Sequence, residues 1–261
     1  MPRPDLAIVI PTYNERDRIE AVVNEILDAC AVHAVTAEVI VVDDNSPDGT
    51  GARVDEMGRT LAVRVIHRPG KLGLGSAVLE GFAAASADVV GAIDADLSHP
   101  PRLVPVLYEI LKERGADIVV ASRYVEGGGT KSWSFGRFLM SRAGCLAARP
   151  LTPVHDAMSG FFLIRRECAL RTRTSVQGFK IGLELLVKSG ARSIVEMGYV
   201  FVGRTAGGSK MSFGEAWRFA RQLIALYAFK FRGAHPRPRH QIAASDRVST
   251  LGRETRANAR A

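Results

Sequence analysis

Apolar residues in this chain gather into short runs, and between those runs they recur at every third or fourth position. The runs "LAIVI", "EVIVV", "VRVIH", "DVVGAI" and "DIVVA" are rich in Val and Ile and bounded by polar residues, so they read as buried strands. The intervening "RIEAVVNEILDAC", "DGTGARVDEM", "GSAVLEGFAAA" and "PPRLVPVLYEILKER" carry helical periodicity. Strand–helix alternation of this kind predicts an α/β fold with a doubly wound, mostly parallel sheet flanked by helices. Past residue 124 the alternation weakens. "VEGGGTKSW" reads as a glycine-rich loop, "SFGRFLMSRAGCLAA" as a helix, "GFFLIRR" as a short strand, "IGLELLVKSG" as a helix and "SIVEMGYVFV" as one strand.

Near the C-terminus, "GEAWRFARQLIALYAFKFR" predicts an amphipathic helix over about 214–232 with Trp217, Ala220, Leu223, Ile224, Tyr227 and Phe231 on a broad apolar face and Arg218, Arg221, Lys230 and Arg232 beside it. Two positions suit it: a membrane interface or the domain's own core. No internal repeat or linker divides the chain, so one domain is expected over residues 1–232. The segment 233–261 has few large apolar residues, and its six Arg against Asp246 and Glu254 supply +4 of the net +8, so it is expected to be a disordered basic tail.

Charge and cysteine content narrow the class. No apolar stretch is long enough to span a membrane, and the N-terminus lacks the apolar core of a signal peptide. Cys30, Cys145 and Cys168 are scattered and odd in number, which favours a reducing, cytoplasmic compartment over a disulfide framework. The basic excess sits in a tail without interleaved aromatic residues, so no nucleic acid partner is expected.

In a doubly wound sheet, ligands sit beyond the carboxyl ends of the strands. That rule gathers Pro11, Tyr13 and Glu15 after the first strand, Asp44 after the second, Asp94-Ala95-Asp96 after the fourth and Arg123 after the fifth. Asp94 and Asp96 are expected to end an extended strand, so they share a face and repel, a situation that a hard divalent cation relieves. "KLGLGSAVLEG" does not complete a dinucleotide fingerprint, because Val78 stands where the third glycine is required and the run follows the third strand.

The runs "IPTYNE", "IVVDDNSPDGTG", "KLGLG", "DADLSHPP", "ASRYVEGGG", "MSGFFLIRR", "GFKIGLELL" and "GGSK", in that order over residues 6–232, resemble family 2 glycosyltransferases. They look most like the branch of dolichol-phosphate (polyprenol-phosphate) mannosyltransferases. The resemblance implies a GT-A-type fold and inverting, metal-dependent transfer of mannose from GDP-mannose to dolichyl or polyprenyl phosphate. A UDP-glucose-dependent enzyme with the same acceptor is the nearest alternative. A non-catalytic subunit that binds a sugar nucleotide or lipid phosphate is the alternative of a different class.

By that resemblance Pro11, Tyr13, Glu15, Val42 and Asp44 bind the base and ribose. Asp94, Ala95 and Asp96 hold the diphosphate through Mg²⁺ or Mn²⁺, with Ser98 near the coordination shell where relatives commonly carry Gln. Arg204 and Lys210 close over the diphosphate, and Arg123, Arg137 and Ser141 bind the acceptor phosphate. Asp156, Lys180 and Glu184 are assigned to sugar positioning, with Ala157 where Pro is common in the family. Arg137 and Ser141 are four residues apart on a predicted helix and share a face. The residues expected to act directly in transfer are Asp96, Arg123, Arg204 and Lys210. A water-insoluble acceptor implies peripheral contact with an anionic membrane surface at the cytoplasmic face, alone or through a small membrane partner protein.

Overall fold

The computed structural model describes residues 3–172, 180–203, 213–233 and 237–244. The predicted strands are β1 (Leu6–Thr12), β2 (Ala37–Asp43), β3 (Val63–His67), β4 (Val89–Ala92) and β5 (Ile118–Ser122). Between them run α1 (Arg16–Val32), α2 (Thr50–Met57), α3 (Leu74–Ala84) and α4 (Val104–Glu113), the last preceded by a 3₁₀ turn at Pro101–Leu103. The second half adds β6 (Gly129–Lys131), α5 (Phe135–Ala148), β7 (Phe162–Arg165), α6 (Arg166–Arg171), α7 (Ile181–Lys188), β8 (Ser193–Gly198), β9 (Val200–Val202), α8 (Phe213–Phe231) and β10 (Arg239–Ala243).

Eight strands form one sheet in the order β10-β8-β5-β7-β4-β1-β2-β3. All neighbours are parallel except β7, which runs antiparallel between β4 and β5. The apolar runs are continuous because the sheet is covered on both sides. Leu6, Ile8 and Ile10 of β1 join the core under α1 and α4, whereas Ala7 and Val9 join the opposite core with Val78 and Phe82 of α3 and Leu183 of α7. This layering leaves the carboxyl ends of β1, β2, β4 and β5 along one edge, as the alternation rule requires.

Three expectations need correction. "SIVEMGYVFV" is two strands: the chain leaves the main sheet at Tyr199, and β9 pairs with β6 in a separate two-stranded sheet. The break follows from the close approach of the backbone at 126–128 to Gly198, where a Cβ would collide with the carbonyl of Glu126. "VEGGGTKSW" is accordingly not all loop, since Gly129–Lys131 is β6.

The third correction concerns the segment from 233, expected to be disordered throughout. Residues 239–243 form β10, which adds to the free edge of β8 in register from Arg239↔Ser193 to Ala243↔Met197. Edge addition is driven by backbone hydrogen bonds and needs few apolar side chains, which is why composition hid it. Of this strand's side chains only Ala243 is buried.

Candidate active site

The turns after β1 and β2 are stitched to one another. Asp43 accepts from the Thr12 hydroxyl at 2.9 Å and from the Ser46 amide at 2.9 Å, while the Asp44 amide donates to the Thr12 carbonyl at 3.0 Å. The amides of Asn14 and Glu15 in turn donate to the hydroxyls of Ser46 and Thr50, each at 3.0 Å. The first aspartate of "DDNSPDG" therefore builds the turn, and the second is buried against Arg68 and the turn after β3. Asp44 accepts from Arg68 Nη1 at 2.6 Å and from the Gly73 amide at 3.2 Å. Gly73 has φ of 99°, a conformation that side-chain-bearing residues rarely adopt.

Tyr13 stands at the mouth of the crevice, 40% exposed, with Lys71 Nζ 4.0 Å from its ring centre. Pro11 is half-buried, and Glu15 pairs with Arg18 at 3.2 Å. The side chains of Val42 and Ala95 lie in the two cores, so these residues offer a ligand only backbone.

The Asp94–Asp96 pair does not continue a strand. β4 ends at Ala92, and the pair lies in a turn where Leu97 takes φ of 59°. Strand alternation therefore does not orient these carboxylates; the turn does. Asp96 accepts from the amide of Ser98 at 3.0 Å and from its hydroxyl, and Ser98 is buried. Asp94 is partly exposed, and among the described residues none donates a hydrogen bond to its carboxylate. Two hard anionic groups two residues apart, one fixed by a hydroxyl and one open to the crevice, fit Mg²⁺ or Mn²⁺. Behind them His99 is buried, stacked on Phe161 at 5.5 Å, and burial lowers its pKa, so it stays neutral.

The end of β5 carries the cationic side. Arg123 grips Asp156 in a two-pronged pair, Nε to Oδ2 at 2.7 Å and Nη2 to Oδ1 at 2.6 Å. Burial opposes its charge, but the Asp156 carboxylate outweighs that penalty and holds its pKa above the ordinary value. Two of its five N–H groups point at Asp156, and the side chain is largely buried among the Tyr124, Trp133 and Phe201 rings. The guanidinium lies 5.0 Å from the Trp133 ring centre, and that of Arg137 lies 4.5 Å from the same ring. Ser141, one turn along α5, accepts from the Tyr124 hydroxyl at 2.7 Å, and Arg142 stacks 4.8 Å from the Tyr124 ring. Arg123, Arg137 and Ser141 thus converge, joined by Trp133, Tyr124 and Arg142, which sequence reasoning missed.

Lys180 lies close enough to Asp94, Arg123 and Asp156 to feel their charges, and burial lowers its pKa. Gln222 of α8 clamps its backbone, accepting from the Lys180 amide at 3.2 Å and donating to its carbonyl at 3.0 Å. Glu184 is a correction: it is buried against Lys188 at 2.5 Å and presents no surface to a sugar. Arg204 and Lys210 lie outside the described residues.

Helix α8 packs one face on the domain and leaves the other exposed. Leu226 is buried, Tyr227 donates to the Ala147 carbonyl at 2.7 Å, and Lys230 donates to the Pro150 carbonyl at 2.7 Å, so one face is fastened to the domain. The other face exposes Trp217 (63%), Ile224 (68%) and Phe231 (85%), spaced seven residues apart and therefore in one stripe. The neighbouring α5 exposes Phe135, Phe138, Leu139, Met140 and Leu146. Among the described residues no helix is long and apolar enough to cross a membrane.

Residues 7–171 match the glycosyl transferase family 2 domain. The chain is 38% identical to a dolichol-phosphate mannosyltransferase of Pyrococcus furiosus over 225 residues, 85% of this chain and 63% of that protein, so it spans under two thirds of that relative's length. It is 36% identical to a polyprenol monophosphomannose synthase of Mycolicibacterium smegmatis, over 86% of this chain and 87% of that one. Its fold is similar to glucosyl-3-phosphoglycerate synthase from Mycobacterium tuberculosis, solved with Mn²⁺, UDP and glucosyl-3-phosphoglycerate. There the TM-score is 0.61 at 26% identity, over 87% of this chain and 80% of that one. By its sequence, its sheet and its strand-end carboxylates, this chain belongs to glycosyltransferase family 2.

Proposed function

We propose that the chain transfers mannose from GDP-mannose to dolichyl or polyprenyl phosphate with inversion at the anomeric carbon. The observation that carries this reading is the Arg123–Arg137–Ser141 cluster beside the exposed apolar residues of α5. A cationic pocket bordered by an apolar surface suits a phosphate that bears a hydrocarbon chain. Similarity to the Pyrococcus and Mycolicibacterium proteins, named for dolichol-phosphate and polyprenol substrates, supports the same acceptor class.

On the donor side, Tyr13 stacks on the base, Asp44 accepts from base or ribose donors, and Pro11, Glu15 and the backbone of Val42 and Ala95 complete the lining. Asp94 and Asp96 hold Mg²⁺ or Mn²⁺, with Ser98 fixing Asp96. When bound, this cation neutralises charge that builds on the departing diphosphate. Arg204 and Lys210 supply further positive charge to the same group.

No protein base is required. The lipid monophosphate is already anionic near neutral pH. One of its oxygens bonds to the anomeric carbon as the bond from that carbon to GDP breaks, giving a β-linked product from an α-linked donor. Arg123 and Arg137 orient the attacking phosphate, so the protein contributes alignment and charge stabilisation. Asp156 keeps Arg123 charged and aimed, and Lys180 positions the sugar. The stripe on α8 and the apolar face of α5 dock peripherally on an anionic membrane surface, directly or through a small membrane partner protein.

The test is transfer of labelled sugar into a lipid-extractable product by the purified full chain with Mg²⁺, polyprenyl phosphate and either GDP-mannose or UDP-glucose. Label from GDP-mannose that Asp96→Ala removes is expected. Label from UDP-glucose alone would replace the donor, and label from neither, with membranes added, would sink the acceptor.

A further inference from the structure

Glu196 of β8 is fully buried beneath the acceptor side, and its carboxylate is crowded with donors. Oε2 accepts from the His155 amide at 2.8 Å, from His155 Nδ1 at 2.9 Å and from His240 Nε2 at 2.7 Å. Oε1 accepts from the Asp156 amide at 3.0 Å, and Ser122 also hydrogen-bonds to this carboxylate. Burial alone would raise its pKa, but the hydrogen bonds from His240 and His155 hold it at about 2. It is therefore an anion throughout the physiological range.

All but one of the donors on this carboxylate belong to segments that frame Arg123. Ser122 precedes it in the chain. His155 and Asp156 are the residues whose backbone Glu196 grips, and Asp156 carries the carboxylate that takes both Nε and Nη2 of Arg123. His240 comes from β10, the strand that composition placed in a disordered tail. We infer that Glu196, completed by His155 and His240, is a positioning hub that sets the Asp156–Arg123 pair for the acceptor phosphate, so that the β10 strand is a working part of the acceptor site. The inference rests on the proposed role of Arg123 as a phosphate ligand.

His155, Glu196 and His240 also bring two imidazole nitrogens and a carboxylate oxygen within 4.8 Å of one another, a grouping that could take a metal ion. The hydrogen bonds argue for the hub instead. Both oxygens of Glu196 already face N–H donors, two of them main-chain amides that no change of tautomer can remove. With His155 carrying its proton on Nδ1 and His240 on Nε2, every contact is a normal donor-to-carboxylate bond.

The experiment uses the full chain with His240→Ala, His240→Gln, Glu196→Gln and, as reference, Arg123→Ala. Because His240 lies at the sheet edge, its variants test the hub even where Glu196→Gln does not fold. For His240→Ala the KM for polyprenyl phosphate is expected to rise about three- to tenfold, with the KM for GDP-mannose within twofold of the parent. His240→Gln, which keeps a donor on a similar reach, should recover most of that loss. A parallel change in both KM values, or none, would overturn the hub and leave His240 a structural residue. So would one equivalent of zinc retained per chain after dialysis against EDTA. If Arg123→Ala itself leaves the acceptor KM unmoved, the reading of Arg123 fails and takes the inference with it. If Arg123→Ala moves that KM and His240→Ala does not, the hub alone fails.

Discussion

The crevice has a donor half at the ends of β1, β2 and β4 and an acceptor half at the end of β5, and the two are built differently. In the donor half, the turns that follow β1, β2 and β3 brace one another directly. Asp43 binds Thr12 and Ser46 while the adjacent Asp44 faces Arg68, and Ser98 fixes Asp96 two residues away. In the acceptor half, the support comes from elements outside the alternating pattern. Arg123 is held by Asp156 from the loop before β7, Asp156 by Glu196 of β8, and Glu196 by His240 of the added edge strand. A half braced by direct contacts between adjacent turns resists change in the rest of the molecule, whereas a half stabilised through a relay can be loosened from a distance.

The largest effect should come from breaking the relay at its most buried link. Asp156→Ala leaves Arg123 in a buried position without a counter-charge, a change that typically removes about 3–5 kcal/mol of stability. Denaturant unfolding should show that loss, and the surviving folded fraction should bind polyprenyl phosphate weakly.

Acid should loosen the same half next. Glu196 has a folded-state pKa of about 2 against an ordinary 4.5, so its stabilisation is complete above pH 4.5 and disappears as the pH falls toward 2. That shift corresponds to about 3 kcal/mol. Thermal unfolding from pH 6 down to pH 2.5 should therefore lose a component below pH 4.5 that Glu196→Gln lacks. An unchanged profile in the variant would remove Glu196 from the account.

A smaller effect separates docking from chemistry. Trp217→Asp, Ile224→Asp and Phe231→Asp together place three charges on the exposed stripe of α8 without touching its packed face. Co-sedimentation with vesicles of acidic lipid at low salt should fall about tenfold, while transfer to a short-chain, water-soluble acceptor phosphate is retained. Loss of both activities together would show that the stripe supports the fold instead.

The smallest effect belongs to the donor half. Gly73→Ala forces a side chain into φ of 99° and disturbs the amide that caps Asp44, a strain of about 1–3 kcal/mol. The KM for GDP-mannose should rise about threefold to fivefold, with the acceptor KM unchanged.

These differences also explain what the sequence disclosed. β1 to β5 were legible because their Val- and Ile-rich runs are buried on both faces, and the strand-end rule then brought Tyr13, Asp44, Asp94 and Arg123 together. The orientation of Asp94 and Asp96 was misjudged because β4 ends at Ala92, a boundary that hydrophobic pattern does not mark. Glu184 looked available because an acidic residue beside "GFKI" gives no hint of Lys188 one turn further along the same helix. β10 stayed hidden because edge pairing depends on the partner's backbone, and His155, Glu196 and His240 are too far apart in sequence to form a motif.

The division of labour between the two halves is tested most directly by titrating both substrates against Arg137→Ala. Arg137 is half-buried on α5, stacked on Trp133 of the acceptor cluster. The account predicts that the KM for polyprenyl phosphate rises tenfold or more, on the order of one charge-assisted phosphate contact, while the KM for GDP-mannose stays within twofold. Equal shifts in both constants, or an unchanged acceptor KM, would contradict it.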